Sequence, residues 1–455
     1  MGSLQPWEQI VSQKRSLRNQ LLKPYQVNDI DRRLPQLFSV QERTRIQEDP
    51  VIQEITDIDS IPRLFECLKS GKYTAEQTTL AFIRRAVIAH QLTNCLTEIV
   101  FEDALEQARQ LDHTFQQTGQ VKGPLHGIPV TVKDQFNVKG VDTTLGYVGR
   151  SFAPATEDAV LVQMLKDMGA IILAKTNLPQ SIMWAETDNP LWGLTVNPRN
   201  PEFTPGGSTG GEAVLLALHG SILGYGTDIG GSVRIPQSHM GLYSLKPTSS
   251  RLPYHGVPVS TEGQEHVPSS LDPKCTPLPW NDSAYGEVQT RPMVIGLILD
   301  DGVVKVHPPI ERALRELSAK LEAHGHELVI WDASDHLEYI KLMDTFYTVD
   351  GGEDVRRDVE AAGEPYIPHV EALVNRGKAI SVYEYWQLNR KKVALQKKYL
   401  DKWNAARSPS GKPIDVLLAP TTPHPAIPHR TLRWVGYTKI WNFLDYSAVT
   451  FPVDQ

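Results

Sequence analysis

Cysteine is scarce in this chain: Cys67, Cys95 and Cys275 stand far apart among 455 residues. An odd, scattered set supplies neither a disulfide framework nor a zinc-ligand spacing, and it suits a reducing compartment. No metal-ligand cluster appears anywhere in the chain, so neither a metal nor another cofactor is expected. Long apolar runs are missing too. The densest, Ala170-Ile171-Ile172-Leu173-Ala174, is far too short to span a bilayer. The N-terminus mixes Trp7, Glu8, Lys14, Arg15 and Arg18 without the apolar core of a signal peptide. Basic blocks are also lacking, and the net charge is −7, so no nucleic-acid partner is expected. These absences predict a cytoplasmic protein that does not enter the membrane.

What is present reads as a globular composition, 40% hydrophobic and 22% charged. The length suffices for one large domain or two or three ordinary ones. Helix and strand signals alternate. Thr74 and Gln77 fit a capping box ahead of Leu80, Ile83 and Val87 at helical spacing. Asp103 is placed to cap a second helix that faces Ala104, Leu105, Ala108 and Leu111 inward. Ile128-Pro129-Val130-Thr131-Val132 then forms a short apolar strand ending on Lys133.

A helix over 158–168, stopped by Gly169, leads into a buried strand at 170–174. The order repeats with a strand at 293–299, a helix opened by Pro308, and a strand at 328–330. Ser381 and Glu384 make another capping box before a long helix with a Lys-rich, solvated face, and Val416–Ala419 is one more strand. Such units predict an α/β fold with a mixed central sheet covered by helices on both faces.

Glycine and small polar residues concentrate in two clusters, Pro205-Gly206-Gly207-Ser208-Thr209-Gly210-Gly211-Glu212 and Gly224-Tyr225-Gly226-Thr227-Asp228-Ile229-Gly230-Gly231-Ser232. Glycine lets main-chain N–H groups converge on a ligand oxygen. A pair of tight turns is the plainer reading of either cluster alone. A nucleotide fingerprint at Gly224-x-Gly226 needs a following helix, and Pro236 arrives too soon for a regular one. Neither cluster ends in the Gly-Lys-Ser/Thr of a phosphate-binding loop.

Gly-Ile-Pro-Val-Thr-Val-Lys-Asp (127–134), Gly-Gly-Ser-Thr-Gly-Gly (206–211) and Gly-Thr-Asp-Ile-Gly-Gly-Ser-Val-Arg (226–234) resemble the amidase signature family. The separations of 75 residues from Lys133 to Ser208 and 24 from Ser208 to Ser232 fit it, as do Thr176-Asn177 and Asn197-Pro198. Fungal acetamidase-type enzymes are the most similar members and fatty acid amide hydrolases the next.

The resemblance implies a Ser–Ser–Lys centre: Ser232 as nucleophile, Ser208 as relay and Lys133 as base. It also implies an oxyanion hole from the N–H groups of Ile229, Gly230, Gly231 and Ser232, and Ile182 and Met183 beside the acyl pocket. Thr227, Asp228 and Arg234 are expected to hold the loop. An ordinary lysine near ~10.4 has to fall by about three pH units to be mostly neutral at pH 7, roughly 4 kcal/mol. The end of an apolar strand suits that desolvation, although a lone lysine there would more often pair with an acid such as Asp134. His126 and His219 are better read as structural than as serine bases.

The resemblance implies residues 1–50 as an N-terminal helical extension and 51–455 as the amidase signature domain. Against the family's pattern, a packed helix is missing near Leu271 and the chain is C-terminally shortened. Ala213, Ser244 and Ser250 replace customary glycines. The expected activity is hydrolysis of a small or medium amide. The alternatives are an amidotransferase A-like glutaminase subunit and a non-catalytic relative. The partner expected is the small-molecule amide, with a homodimer left open.

Overall fold

The computed structural model describes residues 5–27, 50–259, 272, 275 and 279–453. Strands β1 (Leu96–Ile99), β2 (Pro129–Lys133), β3 (Ile171–Thr176) and β4 (Leu223–Tyr225) form a four-stranded sheet in the order β1-β3-β2-β4. β2 runs parallel to both β3 and β4, and β1 lies antiparallel against β3. Every residue of β2 and β3 is buried. Continuous apolar runs, rather than alternation, are what strands covered on both faces require.

Helix Ala75–Thr93 packs on β2 and β3, and helix Gly210–Ala217 packs on β2 and β4. The first opens on the expected capping box of Thr74 and Gln77 and ends on left-handed Asn94. The next helix begins at Phe101, with Val100 as its N-cap. Asp103 therefore sits inside the first turn, where its charge suits the helix dipole, and does not cap.

A second group of strands, β6 (Val294–Leu297), β7 (Glu327–Ile330) and β8 (Val416–Leu418), is wholly parallel in the order β7-β6-β8. Helix Pro308–Ala323 links β6 to β7, with proline at the start where no N–H is missed. Helix Val382–Ala405 opens on the Ser381–Glu384 capping box. β5 (Ser244–Lys246) and β9 (Ala448–Thr450) form a separate antiparallel pair. Among the described residues the strands thus hydrogen-bond in three groups.

Pro236 does not prevent a helix: Arg234–Met240 is helical, and the proline lies in its first turn. An N–H there has no intrahelical acceptor, so its loss costs nothing. The position three residues after Gly226 is Ile229, so the nucleotide fingerprint still lacks its last glycine.

The main apolar core lies around β1 to β4, and a second surrounds β6 to β8 with Trp331, Tyr339 and Tyr399. Helix Pro6–Leu22 is fastened to the first of these regions. Lys14 Nζ donates to Glu98 at 2.5 Å and to Asp142 at 2.7 Å, and Arg18 donates to the Leu96 carbonyl at 2.8 Å. Leu271, where a helix was expected to be missing, and Gln455 at the C-terminus fall outside the described residues.

Candidate active site

Lys133 is the last residue of β2, and β4 beside it runs directly into the 226–232 loop. Val132 is in register with Tyr225, so the lysine and the loop emerge side by side from two parallel strands. Carboxyl ends of such strands are where α/β sheets place their ligands. Ser208 comes from the other glycine cluster, just before helix Gly210–Ala217. A Cβ on Gly207 would collide with the Glu186 backbone, and one on Gly211 with Asn177. These glycines let the loop sink into the sheet's end. The Gly207–Ser208 peptide is cis.

The lysine side chain is fully buried. Its Nζ lies 2.7 Å from Ser208 Oγ and donates to Thr227 Oγ1 at 2.9 Å. Thr227 in turn donates its only proton to Gln135 Oε1 at 2.6 Å, while Gln135 Nε2 donates to the Pro258 carbonyl. With that proton committed, Thr227 can only accept from the lysine, which leaves a neutral amine's lone pair free for Ser208.

Asp134 does not pair with Lys133. Its carboxylate accepts from Thr97, from the N–H and hydroxyl of Thr144, and from Leu145 N–H. Among the described residues no carboxylate bridges the lysine. Burial pulls its pKa down to about 7, against the opposing charges of Asp228 and Asp134.

Ser232 is nearly buried and opens the turn that precedes helix Arg234–Met240. No hydrogen bond joins its hydroxyl to Ser208 among the described residues. The two loops meet instead through Thr209 N–H, which donates to the Ser232 carbonyl at 3.0 Å. Catalytic hydrogen bonds are often open without substrate and close in the complex.

Asp228 organises the loop. It accepts from Gly231, Val233 and Arg234 N–H, and Arg234 closes a bidentate pair on it at 2.9 and 2.8 Å. Burial pushes the Asp228 carboxyl up, but the Arg234 charge and hydrogen bonds outweigh it and hold the carboxyl well below its ordinary range. The N–H of Gly231 is thereby engaged, at 2.8 Å from Asp228 Oδ1. Those of Ile229, Gly230 and Ser232 donate to no described residue.

Ile182 and Met183 follow Ser181, and both Ser181 and Ile182 have positive φ, +66° and +61°. Such a conformation is costly for a β-branched residue and persists where surroundings impose it. Met183 packs between the second core and a third apolar cluster containing Ile182 and Trp184.

The histidines stand apart. His126 Nδ1 accepts from Lys122 N–H, and His219 Nδ1 faces the Thr56 carbonyl. A cavity of about 830 Å³ beside helix Pro6–Leu22, lined in part by Arg15 and Lys23, includes none of Lys133, Ser208, Ser232 or the 226–232 loop.

Sequence reading missed Gln135, Glu212 and the groups from the C-terminal half that touch the loop. Glu212 bonds to the hydroxyls of Thr131 and Thr176 on β2 and β3, fixing the helix that follows Ser208. Burial raises its carboxyl to about 7, although those hydroxyls act in the opposite sense. A glutamate on an apolar helix, four residues after Ser208, was the available signal.

The family model described as Amidase matches residues 77–274 and 266–455. The chain belongs to the amidase family. This amidase is 54% identical to Amidase 1 of Gibberella moniliformis over 98% of its own length and 87% of that protein. It is 36% identical to the acetamidase of Emericella nidulans, over 99% and 87% of the two chains. Among solved structures a fatty acid amide hydrolase superposes with a TM-score of 0.88 at 29% identity, covering 98% of this chain and 83% of that one. The amidase hydrolyses amide C–N bonds, and a Ser–Ser–Lys mechanism is general to its family.

Proposed function

We propose that Lys133, Ser208 and Ser232 carry this hydrolysis through an acyl-enzyme on a small or medium carboxylic amide. The supporting observation is the buried Lys133, 2.7 Å from Ser208, with no carboxylate paired to it among the described residues. Ser232 Oγ attacks the carbonyl carbon and passes its proton to Ser208, whose own proton moves to neutral Lys133. The oxyanion that forms meets the N–H groups of Ile229, Gly230 and Ser232, each such donor being worth about 10²–10³ in turnover.

Collapse breaks the C–N bond, and the leaving nitrogen takes the proton back through Ser208. Water then enters by the same route and releases the acid. Thr227, Asp228 and Arg234 keep the loop in place, while Ile182 and Met183 border the acyl group.

Fluorophosphonate reagents phosphorylate an activated serine, so they test the assignment directly. Native protein is expected to be labelled, and Ser232→Ala to lose both label and turnover. Label retained in that variant would move the nucleophile elsewhere.

We place the protein in the cytoplasm, on its few cysteines, all free. No described helix is long and apolar enough to cross a membrane. We read residues 51–455 as the amidase domain with an internal gap near Leu271. The family match falls into two stretches that overlap over 266–274, which supports that gap.

A further inference from the structure

The 228–231 backbone is held from outside by three side chains that sequence reading left unassigned. Asn442 Nδ2 donates to the Asp228 carbonyl at 2.6 Å, Tyr347 Oη to the Ile229 carbonyl at 2.6 Å, and Thr438 Oγ1 to the Gly230 carbonyl at 2.7 Å. Thr438 and Asn442 lie one turn apart on helix Gly436–Phe443. Tyr347 caps helix His336–Phe346. Three consecutive peptide units therefore each carry a side-chain donor on the oxygen end.

A trans peptide points its N–H away from its C=O. Anchoring the oxygens outward fixes the direction of the N–H groups of Ile229, Gly230 and Gly231. A carbonyl that accepts a hydrogen bond also polarises its own peptide, which strengthens the N–H at the other end. The Gly231 N–H is consumed by Asp228. The Asn442 and Tyr347 bonds therefore act on the two N–H groups still directed elsewhere, those of Ile229 and Gly230.

From this geometry we infer that Tyr347, with Asn442, is a positioning residue for the oxyanion hole. Its phenol orients and polarises the Ile229–Gly230 peptide without touching substrate. The inference rests on the reading of Ser232 as nucleophile and of this loop as its oxyanion site. Tyr347 is buried, and a Cβ added at Gly230 would meet its hydroxyl. Tyr347→Phe therefore removes one oxygen and little else. Asn442 is a poorer probe, because it also bonds Asp228 Oδ1 and Arg234.

The test compares Tyr347→Phe and Thr438→Val with the native enzyme. kcat, KM and inhibition by an aldehyde analogue of a turned-over amide are measured on each, beside its thermal melt. Tyr347→Phe is expected to lower kcat by about tenfold, a fraction of the loss for a deleted oxyanion donor, with KM within about twofold. Aldehyde affinity should fall in step with kcat, because the hemiacetal oxyanion uses the same N–H groups.

Thr438→Val acts on the peptide whose N–H is already committed and should show the smaller loss. Unchanged kcat and aldehyde affinity in a folded Tyr347→Phe would overturn the inference. So would a Thr438→Val loss equal to or larger than that of Tyr347→Phe, and, if the phenylalanine variant fails to fold, a Thr438→Val loss of about tenfold or more overturns it alone. Ser232→Ala separates the two readings. Activity surviving there overturns the nucleophile itself, whereas activity lost there but untouched in Tyr347→Phe overturns only the positioning role.

Discussion

In the proposed mechanism Lys133 is the base, and its environment sets the pH at which the centre works. A lysine base acts only when neutral. With its pKa pulled down by burial to about 7, the neutral fraction grows as pH rises through that value. kcat/KM on an uncharged amide is therefore expected to climb about tenfold per pH unit below 7 and level off above it. Thr227→Val withdraws an oxygen acceptor that favours the charged ammonium. The rise should then shift to lower pH, and the plateau should drop roughly 5- to 10-fold for the loss of a hydrogen bond of about 1 kcal/mol. A stopped-rate pH series on both proteins checks this, and a flat native profile between pH 5 and 8 would remove Lys133 as base. The strand ending on Lys133 was legible in the sequence as an apolar run before a lysine. The Thr227–Gln135 relay was not, because it joins positions 92 residues apart that only the parallel pairing of β2 with β4 brings together.

At the scale of elements, what the sequence shows is local. Capping boxes at Thr74 and Ser381, the proline opening 308–323 and the buried runs of β2 and β3 each depend on neighbours within one turn or strand. Contacts made by helix Pro6–Leu22 are not of that kind. Its exposed and buried faces mix charges, yet Lys14 and Arg18 are both buried. Lys14 bridges Glu98 on β1 and Asp142, and it lies near the rings of Trp192 and Phe152. Lys14→Met leaves buried Asp142 and partly buried Glu98 without their cation, a change that typically costs about 3–5 kcal/mol for a buried pair. The melting temperature of the variant should fall by several degrees, and Lys14→Arg should recover only part of it because its fork does not fit a point-charge site. A melt unchanged in Lys14→Met would show that the helix is not coupled to the sheet.

Across the whole molecule, Lys133 and Ser208 are joined by side chains while Ser232 reaches them only through the Thr209 backbone, and two serines expected to replace glycines take different settings. Ser244 bonds to Thr450 across β5 and β9, whereas Ser250 occupies φ +66°, a region that costs non-glycine residues about 1–2 kcal/mol. The opposite face of that two-stranded ribbon is apolar and open. Leu245 is paired directly with Val449, their exposures are 59% and 60%, and Tyr243 and Phe451 beside them are 74% and 42% exposed. An edge pair with such a face is marginal by itself and prone to association. Leu245→Thr with Val449→Thr keeps β-branched or strand-compatible residues while removing most of the apolar surface. The double variant is expected to scatter less light on concentration, with kcat/KM within about twofold of the native enzyme because β5 and β9 lie outside the β1–β4 sheet that carries Lys133. Equal scattering by both proteins would mean that the ribbon does not limit solubility. A cooperative melt accompanied by amide turnover in both would show that the ribbon's apolar face is not needed for the scaffold that, in the proposed mechanism, keeps Lys133 buried and neutral.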